Sequence, residues 1–104
     1  ILWRIICVLL ASFSIFLFWR DPIITTTLLL MLSIIINLNS TRVEIAYFVS
    51  VSILAALVES FTISSGAWKY TYQHILNFPI WLPLYWGMGG VAMKDLYLLI
   101  KKLF

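Results

Sequence analysis

Charged residues are scarce in this 104-residue chain, where Asp, Glu, Lys and Arg together make up 11% of the sequence. A typical soluble domain carries about 25%. Hydrophobic residues make up 63% of the chain, and its mean hydropathy is +1.06. The composition therefore predicts an integral membrane protein with no soluble domain beside its membrane helices.

Cysteine and histidine each occur only once, as Cys7 and His74. One cysteine cannot form an internal disulfide, and together the two residues are too few for a zinc or iron–sulfur site. No glycine-rich phosphate loop is followed by Lys and Ser or Thr. We therefore expect neither a metal nor a cofactor. The net charge of +3 is spread over short loops, which indicates contact with lipid headgroups and excludes a nucleic-acid partner.

Four apolar segments are separated by polar or helix-breaking residues such as Arg20-Asp21-Pro22. They predict helices at about 5–19, 23–38, 43–64 and 79–100. The expected fold is one all-α membrane domain over residues 1–104, a small bundle of four transmembrane helices. The second segment is short for a hydrocarbon core of ~30 Å. Three spanning helices with one interfacial helix therefore remain an alternative.

The basic residues are unevenly divided between the two sides of such a bundle. Arg20 and Lys69 fall on one side, and the other side carries Arg4, Arg42, Lys94, Lys101 and Lys102. The positive-inside rule then predicts that both termini are cytoplasmic, and we expect the membrane to be a prokaryotic plasma membrane. We expect residues 94–104 to form an amphipathic cytoplasmic end. Lys94 and Asp95 should then each face headgroups or a partner subunit, not one another.

Glu59 lies inside the third segment, where an ionised carboxylate costs about 2.5–3.5 kcal/mol. Beside it runs a row of small residues at i, i+4 spacing, which lets another helix approach closely. The expected packing positions are Ser52, Ala56, Ser60 and Ser64, with Gly87 and Gly90 in the fourth helix. We therefore expect Glu59 to point into a bundle or an oligomer contact. Its carboxyl is either a packing group bonded to a neighbouring helix or a group that contacts a ligand or transfers a proton.

Aromatic residues are concentrated after Glu59, where topology predicts the outer membrane interface. Trp and Tyr normally lie at such interfaces because most of each side chain is apolar, while its N–H or O–H group can hydrogen-bond to water or headgroups. The residues expected to contact lipid or a ligand are Trp68, Tyr70, Tyr72, Trp81, Tyr85 and Trp86. An ordinary aromatic belt and a cap over a groove for a long apolar ligand remain alternatives. Pro83 predicts that the fourth helix starts nearby or is kinked.

A family resemblance involves Glu59, Gly66, Tyr70-Thr71-Tyr72 and the run from Pro79 to Trp86, which reads Pro-Ile-Trp-Leu-Pro-Leu-Tyr-Trp. These residues resemble a stretch of the carotenoid-biosynthesis membrane proteins that include carotenoid hydratases. That family carries an intramembrane Glu, a Gly, a Tyr-x-Tyr pair and a Pro-x-x-x-Pro-x-x-Trp start to the next helix. The resemblance implies an isoprenoid-like substrate, and the residues carried over would be Glu59, Tyr70, Tyr72 and Trp86. It does not extend to the first two helices.

Two functions from different classes follow from these observations. The first is a non-catalytic accessory or structural subunit of a larger membrane complex or a homo-oligomer, which packs against partner helices and lipids. The second is a membrane enzyme or carrier for an isoprenoid- or carotenoid-like lipid, with Glu59 as the proton donor to an alkene. Catalysis would depend on this single carboxyl group, so we favour the first function over an enzyme.

Overall fold

The computed structural model of the protein describes residues 2–66 and 79–104, and within these residues it contains four α-helices and no strand. Their bounds are α1 (Leu2–Phe18), α2 (Pro22–Ile36), α3 (Arg42–Ser64) and α4 (Leu82–Leu103). The prediction of an all-α fold with four helices is confirmed. α1 begins earlier than predicted because Arg4 binds inside the bundle. α4 begins later, and Pro83 falls in its first turn, where a missing N–H breaks no helical hydrogen bond.

Local capping contacts set the ends of the middle helices. The Asp21 carboxylate accepts hydrogen bonds from the backbone N–H groups of Ile23 and Ile24, both at 3.2 Å, at the start of α2. At the start of α3, Thr41 Oγ1 accepts from the Glu44 N–H at 3.2 Å, and Glu44 Oε1 accepts from the Thr41 N–H at 3.0 Å. This reciprocal capping box satisfies two backbone donors that the helix leaves unpaired. α3 is followed by Gly66, whose φ of +86° favours glycine.

α4 packs against all three other helices, and α1 also packs against α2. Arg4 in α1 lies beside Asp95 in α4, and Ser12 lies beside Tyr85, so α1 and α4 are antiparallel. Short connections make α1 antiparallel to α2 and α2 antiparallel to α3. One end of the bundle therefore carries the starts of α1 and α3, the end of α2 and the second half of α4. We call it the Arg4 end.

The contact between α3 and α4 is close because of two glycines in α4. A Cβ atom at Gly87 would overlap Ser52 Oγ and lie 3.0 Å from ring atoms of Phe48. A Cβ atom at Gly90 would lie 3.0 Å from Val51 Cγ1. Both distances are shorter than ordinary carbon contacts of about 3.5–4.0 Å. The absence of side chains at Gly87 and Gly90 thus sets the distance between the two helices.

Burial in the described residues differs from that of a soluble domain, because the interior contains charges and the surface is largely apolar. The buried polar residues are Arg4, Thr25, Ser33, Glu59 and Asp95. Large apolar side chains are exposed on all four helices; Val43 and Phe61, for example, are 78% and 79% exposed. Among the helices described, α3 alone has both the length and the apolar composition to cross a membrane. α1 and α2 are apolar but shorter, at 17 and 15 residues.

Candidate functional site

Arg4 is the centre of a charged cluster inside the Arg4 end of the bundle. Its side chain projects from the first turn of α1, and the residue is only 5% exposed. Arg4 Nη1 donates to Glu44 Oε2 at 2.7 Å. The same nitrogen lies 3.1 Å from Asp95 Oδ1 and 3.3 Å from Asp95 Oδ2. One guanidinium group therefore joins α1 to both α3 and α4.

The cluster continues through neutral side chains at the end of α2 and in the loop that follows it. Arg4 Nη2 donates to Ser40 Oγ at 2.9 Å, and Ser40 Oγ donates to Asn37 Oδ1 at 3.0 Å. Asn37 Nδ2 in turn donates to the backbone carbonyl of Ser33 at 2.9 Å. The guanidinium group is thus connected to all four helices. The partners of Arg4 lie 36 to 91 residues away in the sequence.

Lys94 completes the charge balance of the cluster. Its Nζ lies 2.6 Å from Glu44 Oε2, the same oxygen that accepts from Arg4. Two cations and two carboxylates therefore compensate one another. Buried charges are tolerated only when they are paired and hydrogen-bonded. We refer to Arg4, Asn37, Ser40, Glu44, Lys94 and Asp95 together as the Arg4 cluster.

The expectation that Lys94 and Asp95 face headgroups or a partner subunit is wrong. As predicted, the two residues do not bind each other. Each instead binds inside the bundle, Lys94 to Glu44 and Asp95 to Arg4. The physical reason is topology, because the antiparallel arrangement places this part of α4 level with the first turns of α1 and α3. The sequence contained a usable signal. Both acidic residues at this end of the predicted bundle, Glu44 and Asp95, lie level with several basic residues and next to apolar helices.

The predicted packing positions of α3 lie in different surroundings. Ser52 contacts Gly87, and Ala56 packs against the core. Ser60 is half-buried, whereas Ser64 is exposed and donates to the Phe61 carbonyl at 2.7 Å. A row of residues at i+4 rotates by about 40° at each step around a helix of 3.6 residues per turn. The row that begins at Ser52 against α4 therefore turns away from α4 before Ser64.

Glu59 lies in α3 and is 7% exposed. The other buried residues of this helix are Phe48 and Ile63. Because Ser52 is opposite Gly87 and the helices are antiparallel, seven further residues bring Glu59 level with the start of α4. Glu59 is therefore far along α3 from Glu44, by about 22 Å at 1.5 Å per residue. It is not a member of the Arg4 cluster.

Three of the predicted aromatic residues are described, and all are near the start of α4. Trp81 is buried, Tyr85 is half-buried and Trp86 is exposed. The Tyr85 hydroxyl and Ser12 Oγ are 2.5 Å apart, and Ser12 Oγ also donates to the Val8 carbonyl at 3.0 Å. A shallow groove of about 270 Å³ is lined by Ser12, Ile15, Trp81, Leu82, Tyr85 and Trp86. Trp68, Tyr70 and Tyr72 lie outside the described residues.

Neither a search for metal-binding side chains nor comparison with known proteins identifies a further site. Residues 2–66 and 79–104 contain no group of three His, Cys, Asp or Glu side chains that could hold a metal ion. Cys7 is buried with a free thiol. No protein-family model matches the chain, and neither a curated protein nor a solved structure shows a significant match.

Proposed function

We propose that this chain is a small polytopic membrane protein that acts as a non-catalytic accessory or structural subunit of a larger membrane complex or of a homo-oligomer. The observation that carries the proposal is the distribution of polarity among the described residues. The charges of the Arg4 cluster are compensated inside the bundle, while the outer faces of the helices are apolar.

The apolar exterior supports a membrane environment. Exposed apolar area is unfavourable in water by roughly 25 cal/mol per Å², whereas lipid tails accommodate it without this cost. α3 would be about 35 Å long, enough to cross the hydrocarbon core. α1 and α2 would be about 26 and 23 Å long, and local thinning of the bilayer or burial against partners would accommodate their shorter length.

The exposed charges support an orientation with the Arg4 end in the cytoplasm. Arg4 and Lys94 are engaged within the cluster, so the positive-inside signal at this end depends on Arg42, Lys101 and Lys102, which are exposed. At the opposite end, Arg20 is the basic residue among those described. The proposed orientation has both termini cytoplasmic.

A subunit role is favoured because most acidic groups already have a structural function. Of the four acidic residues, Asp21 caps α2, while Glu44 and Asp95 bind cations of the Arg4 cluster. Acid catalysis would therefore depend on Glu59 alone. α3 also packs against a single helix, α4, in the described part of the chain. Its remaining apolar surface would suit a partner helix as well as lipid.

The test is native mass spectrometry of the protein after gentle extraction from membranes, with bound chains and lipids identified. We expect the protein to remain in the membrane pellet after an alkaline carbonate wash, and to be extracted with a partner chain or a second copy in fixed stoichiometry. Recovery in the carbonate supernatant would refute membrane insertion. A monomer that retains an isoprenoid or carotenoid would refute the subunit role and favour a protein that handles such a ligand.

A further inference from the structure

A groove separates α2 from α3 at the Arg4 end of the bundle. No pair of Cα atoms from these two helices comes within 8 Å, although short connections join them in sequence. The groove has a volume of about 470 Å³, within the range of about 300–1,000 Å³ found for small-molecule pockets. It is lined by Leu30, Ser33, Ile34, Asn37, Leu38, Ile45, Phe48 and Leu84.

The lining is apolar along the helices and polar at one end. Ser33 presents little polarity, because its hydroxyl donates to the Leu29 carbonyl at 2.7 Å. Asn37 lies at the polar end, where its side chain connects the groove to Ser40 and from there to the Arg4 cluster. A ligand that matches this lining has a long apolar part and a polar group at the Arg4 end.

Arg42 supplies a positive charge at that end. It is the first residue of α3 and lies one turn before Ile45, so the two residues share a helix face. Arg42 is exposed and forms no ion pair with any residue in the described part of the chain. Its charge is therefore available to an anionic group bound at the Arg4 end of the groove.

We propose that the groove binds an acyl chain of an anionic phospholipid, with the phosphate of the headgroup on Arg42. This inference rests on the proposed membrane location. The α2 side of the groove runs from Leu30 to Leu38, about 12 Å along the axis. A partner helix would need a contact surface closer to the ~30 Å thickness of the hydrocarbon core. The short groove beside a free cation suits a lipid better than a helix.

The experiment is a lipid titration of the detergent-purified protein, followed by native mass spectrometry. Phosphatidylglycerol is compared with phosphatidylcholine that carries the same acyl chains. We expect tighter binding of phosphatidylglycerol. Arg42→Gln should remove this preference and weaken phosphatidylglycerol binding roughly fivefold, which corresponds to about 1 kcal/mol for one interfacial cation. Lys101→Gln removes another exposed cation at the same end and should bind like the unmodified protein.

A second pair of variants tests the groove itself. Ile34→Trp places an indole in the groove and should weaken binding of both lipids. Ile35→Trp makes the same change at an exposed neighbour outside the groove lining and should leave binding unchanged. Thermal unfolding in detergent checks that both variants are folded. Equal binding of the two lipids, or equal effects of the two tryptophans, would overturn the proposal. So would an Ile34→Trp variant that keeps its lipid and loses a protein partner.

The failure of this proposal can be distinguished from the failure of the proposed function. If the protein is released by the carbonate wash, membrane insertion is refuted and the lipid site with it. If the protein stays in the membrane with its partner while Arg42→Gln and Ile34→Trp bind lipid normally, only the lipid site is refuted.

Discussion

Arg4 and Asp95 lie 91 positions apart in the sequence and meet inside the bundle, with Arg4 Nη1 3.1 Å from Asp95 Oδ1. Each residue is less than one-tenth exposed. Arg4 is the one cation that contacts Asp95 in the described residues, whereas Glu44 is shared between Arg4 and Lys94. Asp95 therefore depends on Arg4 for its compensation.

Removal of the Arg4 charge should destabilise the bundle strongly. Arg4→Gln leaves the Asp95 carboxylate buried without a cation, and breaking a buried pair in this way costs about 3–5 kcal/mol. The measurement is unfolding in mild detergent, monitored by circular dichroism. Arg20→Gln is the matched control, because Arg20 is exposed over the Trp19 ring at 5.1 Å. We expect it to cost about 0.5–1 kcal/mol. Similar losses from the two variants would contradict a structural role for the cluster.

Within the cluster, Glu44 should contribute more than Lys94. Glu44 accepts from Arg4, Lys94 and the Thr41 N–H, whereas Lys94 is partly exposed and, among the described residues, binds Glu44 alone. Lys94→Met should cost at most about 1 kcal/mol, as for exposed ion pairs, and Glu44→Gln should cost clearly more. Unfolding of both single variants and the double variant gives the coupling energy. A Lys94→Met variant less stable than Glu44→Gln would refute this order.

The sequence predicted the four helices because apolar segments, and the polar or helix-breaking residues between them, are local signals. Asp21-Pro22 and the Thr41–Glu44 pair are capping signals that operate within three residues. The Arg4 cluster depends instead on which helices pack against one another. The spacing of residues within one segment does not show this. Local spacing alone therefore predicts that Lys94 and Asp95 face outward. The two carboxylates at this end of the bundle, Glu44 and Asp95, point to the correct assignment, because buried carboxylates beside apolar helices are tolerated when cations pair with them.

Gly87 and Gly89 offer a test of the close contact between α3 and α4. A Cβ at Gly87 would overlap Ser52 Oγ, whereas a Cβ at Gly89 would meet nothing within 4 Å. Gly87→Ala should therefore cost about 1–3 kcal/mol through overpacking. Gly89→Ala should be neutral or stabilise the protein by up to about 1 kcal/mol through helix propensity. Thermal unfolding of the two variants in detergent measures the difference.

The reason for the Gly87 effect can also be tested. Ser52→Ala removes the nearest atom to the new methyl group, so it should recover part of the stability lost in Gly87→Ala. The remaining loss would come from Phe48, whose ring also lies near the added Cβ. If Gly87→Ala is as stable as Gly89→Ala, the two helices are not held at the observed distance.

The Tyr85 hydroxyl should make a small contribution to stability. Tyr85→Phe removes the hydrogen bond to Ser12 Oγ, but Ser12 keeps its bond to the Val8 carbonyl. No buried donor is left unpaired, so we expect a loss of about 0.6 kcal/mol and at most about 1.7 kcal/mol, as for hydrogen bonds between membrane helices. Tyr97→Phe, at an exposed position of α4, should be neutral. A larger loss than this would indicate that Tyr85 has a further role in the groove lined by Trp81 and Trp86.

Glu59 separates the proposed subunit role from acid catalysis. Gln keeps the size and most hydrogen-bonding capacity of Glu but supplies no acidic proton. If Glu59 packs between helices, Glu59→Gln should retain the stability of the bundle and its association with the partner chain or second copy. Glu59→Leu should be less well tolerated, because leucine cannot make the polar interactions of the buried carboxyl group that it replaces. The measurement is partner retention by native mass spectrometry, together with cellular complementation. Complementation that fails for Glu59→Gln, while the complex stays intact, would contradict the subunit role and point to proton transfer by this carboxyl.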